Sequence, residues 1–318
     1  MPFAHLVGIF PRSERVVELS RAVDRGRATA DELATAIADD ERRIIALQQE
    51  AGLDYIVDGQ LRWQDLLRPL STGISGMHPN GISRWFDNNS FYRRPVITGP
   101  LQPTGKAVLA VIDLKAVAGR KWKAVLPSPF ALAALSENAS GRSADQVLAD
   151  AVAVLRAEAQ ALVGAGCAYV QFNDPALVTQ ARPGDVARAR SALEQVTAGL
   201  AARTALHTFF GDAGPLLGEL VRFPVHEIGI DLYSSTIDGT KARAAGKTLL
   251  AGVVDGRNSL VEDVNTLVDQ ARRLRDVLGA DDVAIVPNCD LELLPWECAE
   301  AKTRRLGEAG AALRAKAR

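Results

Sequence analysis

The chain has 318 residues, of which 47% are hydrophobic and 24% are charged, as in a globular protein with one large core. A formal net charge of −1 excludes the basic field that attracts nucleic acid. Three cysteines are too few for a disulfide framework, and no run reaches the roughly 20 uncharged apolar residues that span a membrane.

The amino-terminal residues 1–12 have neither a positively charged start nor a long apolar stretch, so they do not resemble a signal peptide. The odd number of cysteines favours a reducing compartment. We therefore expect a cytoplasmic protein without a nucleic-acid or membrane partner.

Eight short apolar runs recur along the chain, and longer amphipathic stretches separate them. Their near-continuous aliphatic and β-branched residues are typical of parallel strands that are buried on both faces. The predicted strands cover residues 5–10, 54–59, 123–128, 168–174, 204–210, 227–233, 248–256 and 282–289.

Three of the helices between these runs have clear end signals. One is predicted to begin after Thr29 and to stop at Gly52, and another begins after Ser143. A third is predicted from Ser259 to Leu278, closed by Gly279.

This alternation predicts an α/β fold: a single (β/α)8 TIM barrel over residues 1–318, with right-handed crossovers. The alternative is an open doubly wound sheet, which usually has a glycine-rich phosphate loop after its first strand. The first run ends instead in Gly8-Ile9-Phe10-Pro11-Arg12.

A long insertion, at about residues 65–121, separates the second and third predicted strands. Insertions on the strand-end face commonly form lids or substrate walls, and the alternative is an outer hairpin that packs against the barrel. Trp85, Phe86, Phe91 and Tyr92 in this segment could stack on a flat ligand or form the insertion's own core.

Polar residues at the carboxyl ends of barrel strands are candidates for chemistry. The carboxylates Asp174 and Asp255 are candidate catalytic groups. The candidate substrate-binding residues are Arg12, Gln60, Ser128, Asn173 and Arg257. The alternative is that these side chains close the strand ends by hydrogen bonds and ion pairs to one another.

His207 and Cys289 lie near the ends of the fifth and eighth predicted strands, and Asp231 lies near the end of the sixth. Nitrogen, sulfur and carboxylate ligands together favour zinc. A buried histidine or cysteine without a spacing motif is often structural, so both interpretations stay open.

Four motifs give the chain a family resemblance. Phe10-Pro11-Arg12, Arg84-Trp85-Phe86-Asp87, Phe209-Phe210-Gly211-Asp212 and Gly252-Val253-Val254-Asp255-Gly256-Arg257-Asn258 resemble the N-terminal barrel of the cobalamin-independent methionine synthase family. In that family a C-terminal barrel holds the zinc that activates homocysteine, and methyl comes from a methyltetrahydrofolate. The resemblance implies that the N-terminal barrel carries no zinc and helps to bind the folate tail.

The chain matches the catalytic half of that family only in part. His207, Asp231 and Cys289 fall at zinc-ligand positions, but Phe209 stands where the family has a cysteine. Gln60 and Asn173 stand where it grips the homocysteine ammonium with carboxylates.

Three hypotheses follow from this resemblance. The first is a methyltransferase that moves methyl from a methyltetrahydrofolate-like donor to a thiol such as homocysteine through a zinc-thiolate. The second is a non-catalytic barrel that binds folate or a separate catalytic barrel. The third is a diverged enzyme that acts on a substrate other than an amino acid.

Overall fold

The computed structural model describes residues 4–315 and contains a six-stranded parallel sheet in the order β3-β5-β6-β7-β8-β9. These strands are β3 Lys123–Pro127, β5 Tyr169–Asn173, β6 Arg203–Thr208, β7 Glu227–Asp231, β8 Thr248–Val254 and β9 Asp282–Pro287. They coincide with the last six predicted strands, but each ends one or two residues earlier than predicted; β5 also begins one residue later and β6 one residue earlier. The mainly parallel α/β fold is therefore confirmed.

Successive side chains of these strands enter two separate apolar clusters, because side chains alternate between the faces of a sheet. Tyr169, Ala205, Leu250 and Ala284 form an inner cluster with Val7. The intervening residues join the larger cluster between the sheet and the helices, among them Val170, Leu206, Leu249 and Ile285. The sheet is thus covered on both faces.

The first two predicted strands, 5–10 and 54–59, are not strands in the structure. Their ladder contacts are isolated parallel bridges, from Ala4 to Ile285 of β9 and from Ile56 to Trp122 before β3. Side chains bind several of the backbone N–H groups that a strand partner would take. Asp290 Oδ1 accepts from Ile9 N at 2.9 Å, and Gln48 Oε1 accepts from Val57 N at 3.0 Å.

Helices alternate with the strands. The long ones are α1 Glu14–Asp24, α2 Ala30–Glu50, α6 Ala144–Gly164, α8 Asp185–Thr197, α10 Val264–Leu278 and α11 Trp296–Ala315. The short ones are α3 Arg68–Gly73, α4 Leu114–Val117, α5 Pro129–Ala134, α7 Pro175–Thr179 and α9 Leu217–Leu220. Single 3-10 turns cover Leu109–Val111, Gly214–Leu216 and Leu291–Leu293. No helix in this described part is long and apolar enough to cross a membrane.

Two of the three predicted helix starts are confirmed. Thr29 and Ser143 cap α2 and α6, each in a reciprocal capping box with the third helical residue. The predicted start of α10 at Ser259 is wrong, because Asp263 caps the helix by accepting from Thr266 N. Gly279 ends α10 in the left-handed conformation, as predicted.

The segment 65–121 contains α3, α4 and most of a second, smaller sheet. Its strands β1 Met77–Arg84 and β2 Phe91–Ile97 form an antiparallel hairpin, and β2 pairs with β4 Glu137–Asn138. Trp85 and Tyr92 are buried with their rings 5.1 Å apart, whereas Phe91 is 58% exposed. The hairpin therefore has a packed aromatic core of its own.

The amino-terminal ends of the parallel strands carry a buried polar network. Tyr169 and Arg203 both donate to Glu227, the first residue of β7. Lys123, the first residue of β3, donates from Nζ to Leu6 O at 2.8 Å and to Gln171 Oε1 at 2.7 Å. This network closes the amino-terminal side of the sheet, so a ligand site is expected at the opposite, carboxyl ends of the strands.

Candidate functional site

The carboxyl ends of the parallel strands, with the residues that follow them, form one edge of the sheet that we call the rim. Parallel strands bring these ends together, and this is where α/β proteins bind ligands. The structure places these predicted residues at the rim: Ser128, Asn173, Asp174, His207, Asp231, Asp255, Arg257 and Cys289.

Asn288, directly after β9, joins the ends of four strands. Its Nδ2 donates to Asp231 Oδ1 at 3.1 Å and to Asp255 Oδ1 at 3.3 Å, and its Oδ1 accepts from Gly256 N at 2.8 Å. Its carbonyl oxygen accepts from His207 Nε2 at 2.8 Å. One amide residue thus fixes the relative positions of the β6, β7, β8 and β9 ends.

The imidazole of His207 is fully buried, and burial lowers its pKa to about 4. The ring is therefore neutral near pH 7, with its proton on Nε2 because that nitrogen faces a carbonyl. Nδ1 has no hydrogen-bond partner within residues 4–315. A Cβ on Gly229 of β7 would lie 1.9 Å from this Nδ1, so the nitrogen faces the backbone of the neighbouring strand.

The carboxylate of Asp231 is also hydrogen-bonded to neighbouring protein groups. Its carboxylate accepts from Phe210 N at 3.2 Å, Tyr233 N at 3.0 Å and Ser234 N at 3.3 Å, besides Asn288. Burial, followed by the charges of Asp290 and Asp231, raises the pKa of the Cys289 thiol well above its ordinary value. The thiol therefore stays protonated in this environment.

The three predicted zinc ligands, His207, Asp231 and Cys289, consequently do not fit a metal site. One imidazole nitrogen donates to a carbonyl, the other faces a strand backbone, and the carboxylate is filled by N–H donors. Among the described residues, no group of three or more His, Cys, Asp and Glu could hold a metal ion.

The amides of Gln60 and Asn173, two of the predicted substrate-binding residues, also bind neighbouring segments. Gln60 Nε2 donates to Val125 O at 3.1 Å, and Asn173 Nδ2 donates to Val7 O at 3.3 Å. Gln171 Nε2 donates to Asn173 Oδ1 at 2.7 Å. Of the oxygen atoms of these two amides, Gln60 Oε1 has no hydrogen-bond partner within residues 4–315. Substrate binding by these amides therefore stays a prediction.

Ser128 and Asp174 cap helices at the rim. Ser128 Oγ accepts from Ala131 N at the start of α5 and donates to Asp174 Oδ2, and Asp174 Oδ1 accepts from Leu177 N at the start of α7. Burial raises the pKa of Asp174 to about 7, a value suited to proton transfer near neutrality. Both oxygens are nonetheless occupied, so its catalytic role stays a prediction.

Arg12, the remaining predicted binding residue, follows the first apolar run. Its Nε donates to Leu61 O at 3.0 Å, which ties the ends of the first two runs together. Among the described residues Arg12 forms no ion pair, so the alternative of an ion pair at the strand ends does not apply to it.

The β1–β2 hairpin reaches the rim through aromatic contacts. The Phe86 ring lies 5.5 Å from the Phe210 ring after β6, and the Arg257 guanidinium lies 5.6 Å from the centre of the Phe210 ring. Phe86 and Phe210 both have positive φ, 52° and 70°, a strained backbone that is found most often at functional sites.

A cavity of about 260 Å³ lies between this hairpin and the end of α5. Arg84 and Arg94 of the hairpin line it together with Phe86, Tyr92 and Gln180. Two arginines at one cavity suit a ligand that carries carboxylate groups.

A second, open cavity of about 430 Å³ lies at the rim, at the ends of β7, β8 and β9, and we call it the rim cavity. Its lining includes Tyr233, Ser234, Asp255, Arg257, Asn258 and Asn288. A larger groove of about 660 Å³ between α1 and α2 lies away from the strand ends, and its position gives it no part in rim chemistry.

An ion pair between α11 and Glu262 fixes the loop that carries Asp255 and Arg257. Lys302 of α11 is fully buried and lies 2.6 Å from Glu262 Oε1, which also accepts from Asp255 N at 2.7 Å. The predictions from sequence missed Lys302 and Glu262. Lys302 lies between Ala299 and Leu306 on the buried face of α11, a helical spacing that indicates burial.

The packing of Gly229 against His207 gives a direct test of the rim geometry. We expect Gly229→Ala to lower the free energy of unfolding by about 1–3 kcal/mol, because a Cβ there overlaps the imidazole and must displace it. Chemical denaturation measures the change. Gly164→Ala is the control, since a Cβ at Gly164 meets nothing within 4 Å; an equal loss in both variants would contradict the proposed contact.

Comparison with known proteins shows the family of this chain. Residues 65–279 match the family model described as the N-terminal domain of cobalamin-independent synthase. A methionine synthase of Sulfolobus acidocaldarius is 25% identical over 301 residues, which cover 93% of this chain and 88% of that protein.

Two further similarities concern length and fold. The 5-methyltetrahydropteroyltriglutamate–homocysteine methyltransferase of Mycobacterium bovis is 30% identical over 93% of this chain, but the match spans only 43% of that protein. The structure of a B12-independent methionine synthase from Shewanella, solved with selenomethionine, has the same fold, with a TM-score of 0.81 at 18% identity. The superposition covers 100% of this chain and 99% of the Shewanella chain.

Proposed function

Because the chain belongs to the cobalamin-independent methionine synthase family and matches the N-terminal domain of that family, we propose that it serves the methyl transfer that forms methionine as an N-terminal-type barrel. In this role it binds the methyl donor, and a second barrel outside these 318 residues supplies the zinc. That barrel lies either further along a longer polypeptide or on a separate chain.

The observation that carries this proposal is that protein atoms face both ring nitrogens of His207. Its Nε2 donates to Asn288 O, and the lone pair of its Nδ1 faces the Gly229 backbone, so the ring would have to move before a metal ion could bind it. The zinc-thiolate step that the resemblance allows therefore has no ligand set among these residues. The match spans 43% of the mycobacterial methyltransferase but 88% of the Sulfolobus methionine synthase, so relatives of both lengths contain this region, and the second barrel is inferred from His207 rather than from length.

The cavity beside the hairpin supports a role in binding a methyltetrahydrofolate-like donor. Phe86 lines this cavity, whereas the Tyr92 ring is buried against Trp85 and its hydroxyl donates to Leu135 O. Arg84 and Arg94 give cations for the carboxylates of a glutamate tail. The insertion at 65–121 would then act as a substrate wall, and the whole chain would be a single functional domain.

We also infer that eight segments close the sheet into a barrel. Ala4 bridges to β9, its carbonyl oxygen accepts from Asp54 N at 3.0 Å, and Ile56 bridges to Trp122 beside β3. These contacts connect the two outer strands of the six-stranded sheet through the first two apolar runs. A closed ring has no free edge strand, which removes a common route to aggregation.

The proposal is tested by measuring zinc content and methyl transfer from methyltetrahydrofolate to homocysteine. The purified chain is expected to hold less than about a tenth of an equivalent of zinc, because its ligand set is closed. It should transfer no methyl alone but bind the donor, and the Arg84→Gln and Arg94→Gln variants should bind it more weakly. Stoichiometric zinc with chelator-sensitive transfer by the isolated chain would establish the zinc methyltransferase hypothesis instead.

A further inference from the structure

A line of polar side chains runs along the inner face of the sheet, from one end of its strands to the other. Tyr169, Gln171 and Asn173 alternate along β5, so their side chains lie on the same face. Lys123 of β3 pairs with Tyr169 at the amino-terminal end, whereas Asn173 ends β5 at the rim. Lys123, Gln171 and Asn173 are all buried, so their polar atoms depend on protein partners.

The hydrogen bonds of this line all run in one direction. Lys123 Nζ is a donor and lies 2.7 Å from Gln171 Oε1. Gln171 Nε2 is therefore turned to the other side, where it donates to Val7 O at 2.9 Å and to Asn173 Oδ1 at 2.7 Å. Asn173 Nδ2 donates to Val7 O at 3.3 Å, and its second N–H has no acceptor among residues 4–315. The end of β5 thus offers a hydrogen-bond donor.

The bond from Lys123 to Gln171 persists when the amine loses a proton. The ammonium group has three N–H groups, and it faces three acceptors: Gln171 Oε1, Leu6 O at 2.8 Å and His5 Nδ1 at 3.0 Å. Burial, followed by the charge of Lys123, lowers the pKa of His5 well below its ordinary value, so this imidazole is neutral. In the neutral amine the two oxygens keep the two N–H groups, because oxygens of this kind only accept, and the lone pair faces His5.

The charge on Lys123 therefore changes the strength of this line of hydrogen bonds and not its direction. A bond from an ammonium group is roughly twice as strong as one from a neutral amine. Hydrogen bonds in a chain polarise one another, so a stronger bond to Gln171 makes Asn173 Nδ2 a better donor. Because burial lowers the pKa of Lys123 to about 7, the change falls near neutral pH.

Other titratable groups face Lys123 and its partners from each element that packs around them. They are His5 and Tyr55 of the first two apolar runs, Cys167 and Tyr169 at the start of β5, Arg203 and His207 of β6, Glu227 of β7 and Asp290 after β9. Burial also raises the pKa of Asp290, and of Asp174 beside Asn173, to about 7. A variant without the Lys123 amine is therefore needed to assign a change at Asn173 to this residue.

We propose that Lys123 is a positioning residue for the rim: through Gln171 it holds the Asn173 amide with one N–H free for a ligand, and its ionisation sets the strength of that donor. The donor is stronger while Lys123 is charged and weaker at higher pH. A ligand group that meets Asn173 is then an oxygen acceptor and not a cation. The proposal rests on these hydrogen bonds and does not require that the chain transfers methyl groups or binds a methyl donor.

Nuclear magnetic resonance of the side-chain amide of Asn173, in the isotope-labelled full chain, tests the proposal. The loss of its signals in Asn173→Ser assigns them. Between about pH 5.5 and pH 8.5 we expect them to shift with one midpoint near the Lys123 value of about 7. The shift should disappear in Lys123→Met, which removes the amine, and in Gln171→Met, which breaks the line but keeps the amine. Lys123→Arg should hold the signals near their low-pH position throughout, because a guanidinium stays charged.

The matched control is Lys302→Met, which removes another fully buried lysine, on α11. It should keep the titration of Asn173, and thermal unfolding checks that each variant is folded. If Lys123→Met does not fold, the wild type and Gln171→Met decide the question.

Two results overturn the proposal: signals of Asn173 that do not titrate in the wild type, and signals that still titrate in Lys123→Met or Gln171→Met. In the second case a carboxyl group such as Asp174 or Asp290 causes the shift. Because neither zinc nor methyl transfer is measured, such a failure is separate from a failure of the proposed function.

Discussion

Replacing Lys302 by methionine is expected to lower the free energy of unfolding by about 3–5 kcal/mol, the cost of leaving one member of a buried ion pair without its partner. Lys302 is 0% exposed and Glu262 only 12% exposed, so water cannot replace the lost ammonium group. The second oxygen of Glu262 already lacks a hydrogen-bond partner among the described residues. Urea denaturation of the wild type and the variant measures the difference.

Arg304→Met is the matched control on the same helix. Arg304 pairs with Glu50, but both side chains are more than half exposed, so we expect a loss below about 1 kcal/mol. The double variant Lys302→Met with Glu262→Gln should regain part of the stability, because it removes the uncompensated charge. Equal losses for Lys302→Met and Arg304→Met would contradict the buried ion pair.

The same substitution should also loosen the rim loop. Glu262 joins α11 to Asp255 N, so its displacement frees the backbone before Arg257. Amide hydrogen exchange of residues 255–261 is expected to accelerate in Lys302→Met under conditions where the protein remains folded. Unchanged exchange in this loop would show that Glu262 does not position it.

Lys123→Met is expected to remove a large pH dependence of stability. Burial lowers the pKa of Lys123 from its ordinary value of 10.5 to about 7, although Glu227 and Asp290 oppose the shift. Between these two values the unfolded chain binds a proton that the folded chain does not, so the wild type gains stability as pH rises. The stabilisation is complete above the unfolded pKa and is lost as pH falls toward 7.

Denaturation from about pH 7 to pH 10 measures this slope. The wild type should gain about 1.4 kcal/mol per pH unit relative to Lys123→Met, since other titrating groups are common to both proteins. Lys121→Met, at an exposed position two residues earlier, should keep the wild-type slope. Parallel curves for the wild type and Lys123→Met would contradict a neutral buried lysine.

The parallel strands and their ends were predictable because burial on both faces leaves continuous apolar runs in the sequence. The first two runs have the same pattern, yet they lack strand pairing since Asp290 and Gln48 bind their N–H groups from distant elements. Local pattern could not show those side chains. The helix start predicted at Ser259 was also wrong, because local pattern treats Leu260 as a packed helix residue. In the structure Leu260 is 74% exposed and lies before the helix, which Asp263 caps.

Of the candidate site, the positions of the rim residues were predictable, but the direction of their polar atoms was not. Sequence spacing places His207 at a strand end, whereas its lone pair faces Gly229 because no side chain stands there. Likewise, Asp231 saturates its oxygens on the N–H groups of the loops after β6 and β7. Such details depend on how neighbouring strands are aligned, which periodicity alone does not specify.

The position of Asn288 between four strand ends has a consequence for how rim substitutions combine. Changes at His207, Asp231 and Asp255 all alter the same amide residue, so their effects on stability should not add. Double-mutant cycles between any two of them are expected to give coupling energies of about 0.5–3 kcal/mol. Evolution or design at this rim would then have to change these residues together, as one unit, rather than one at a time.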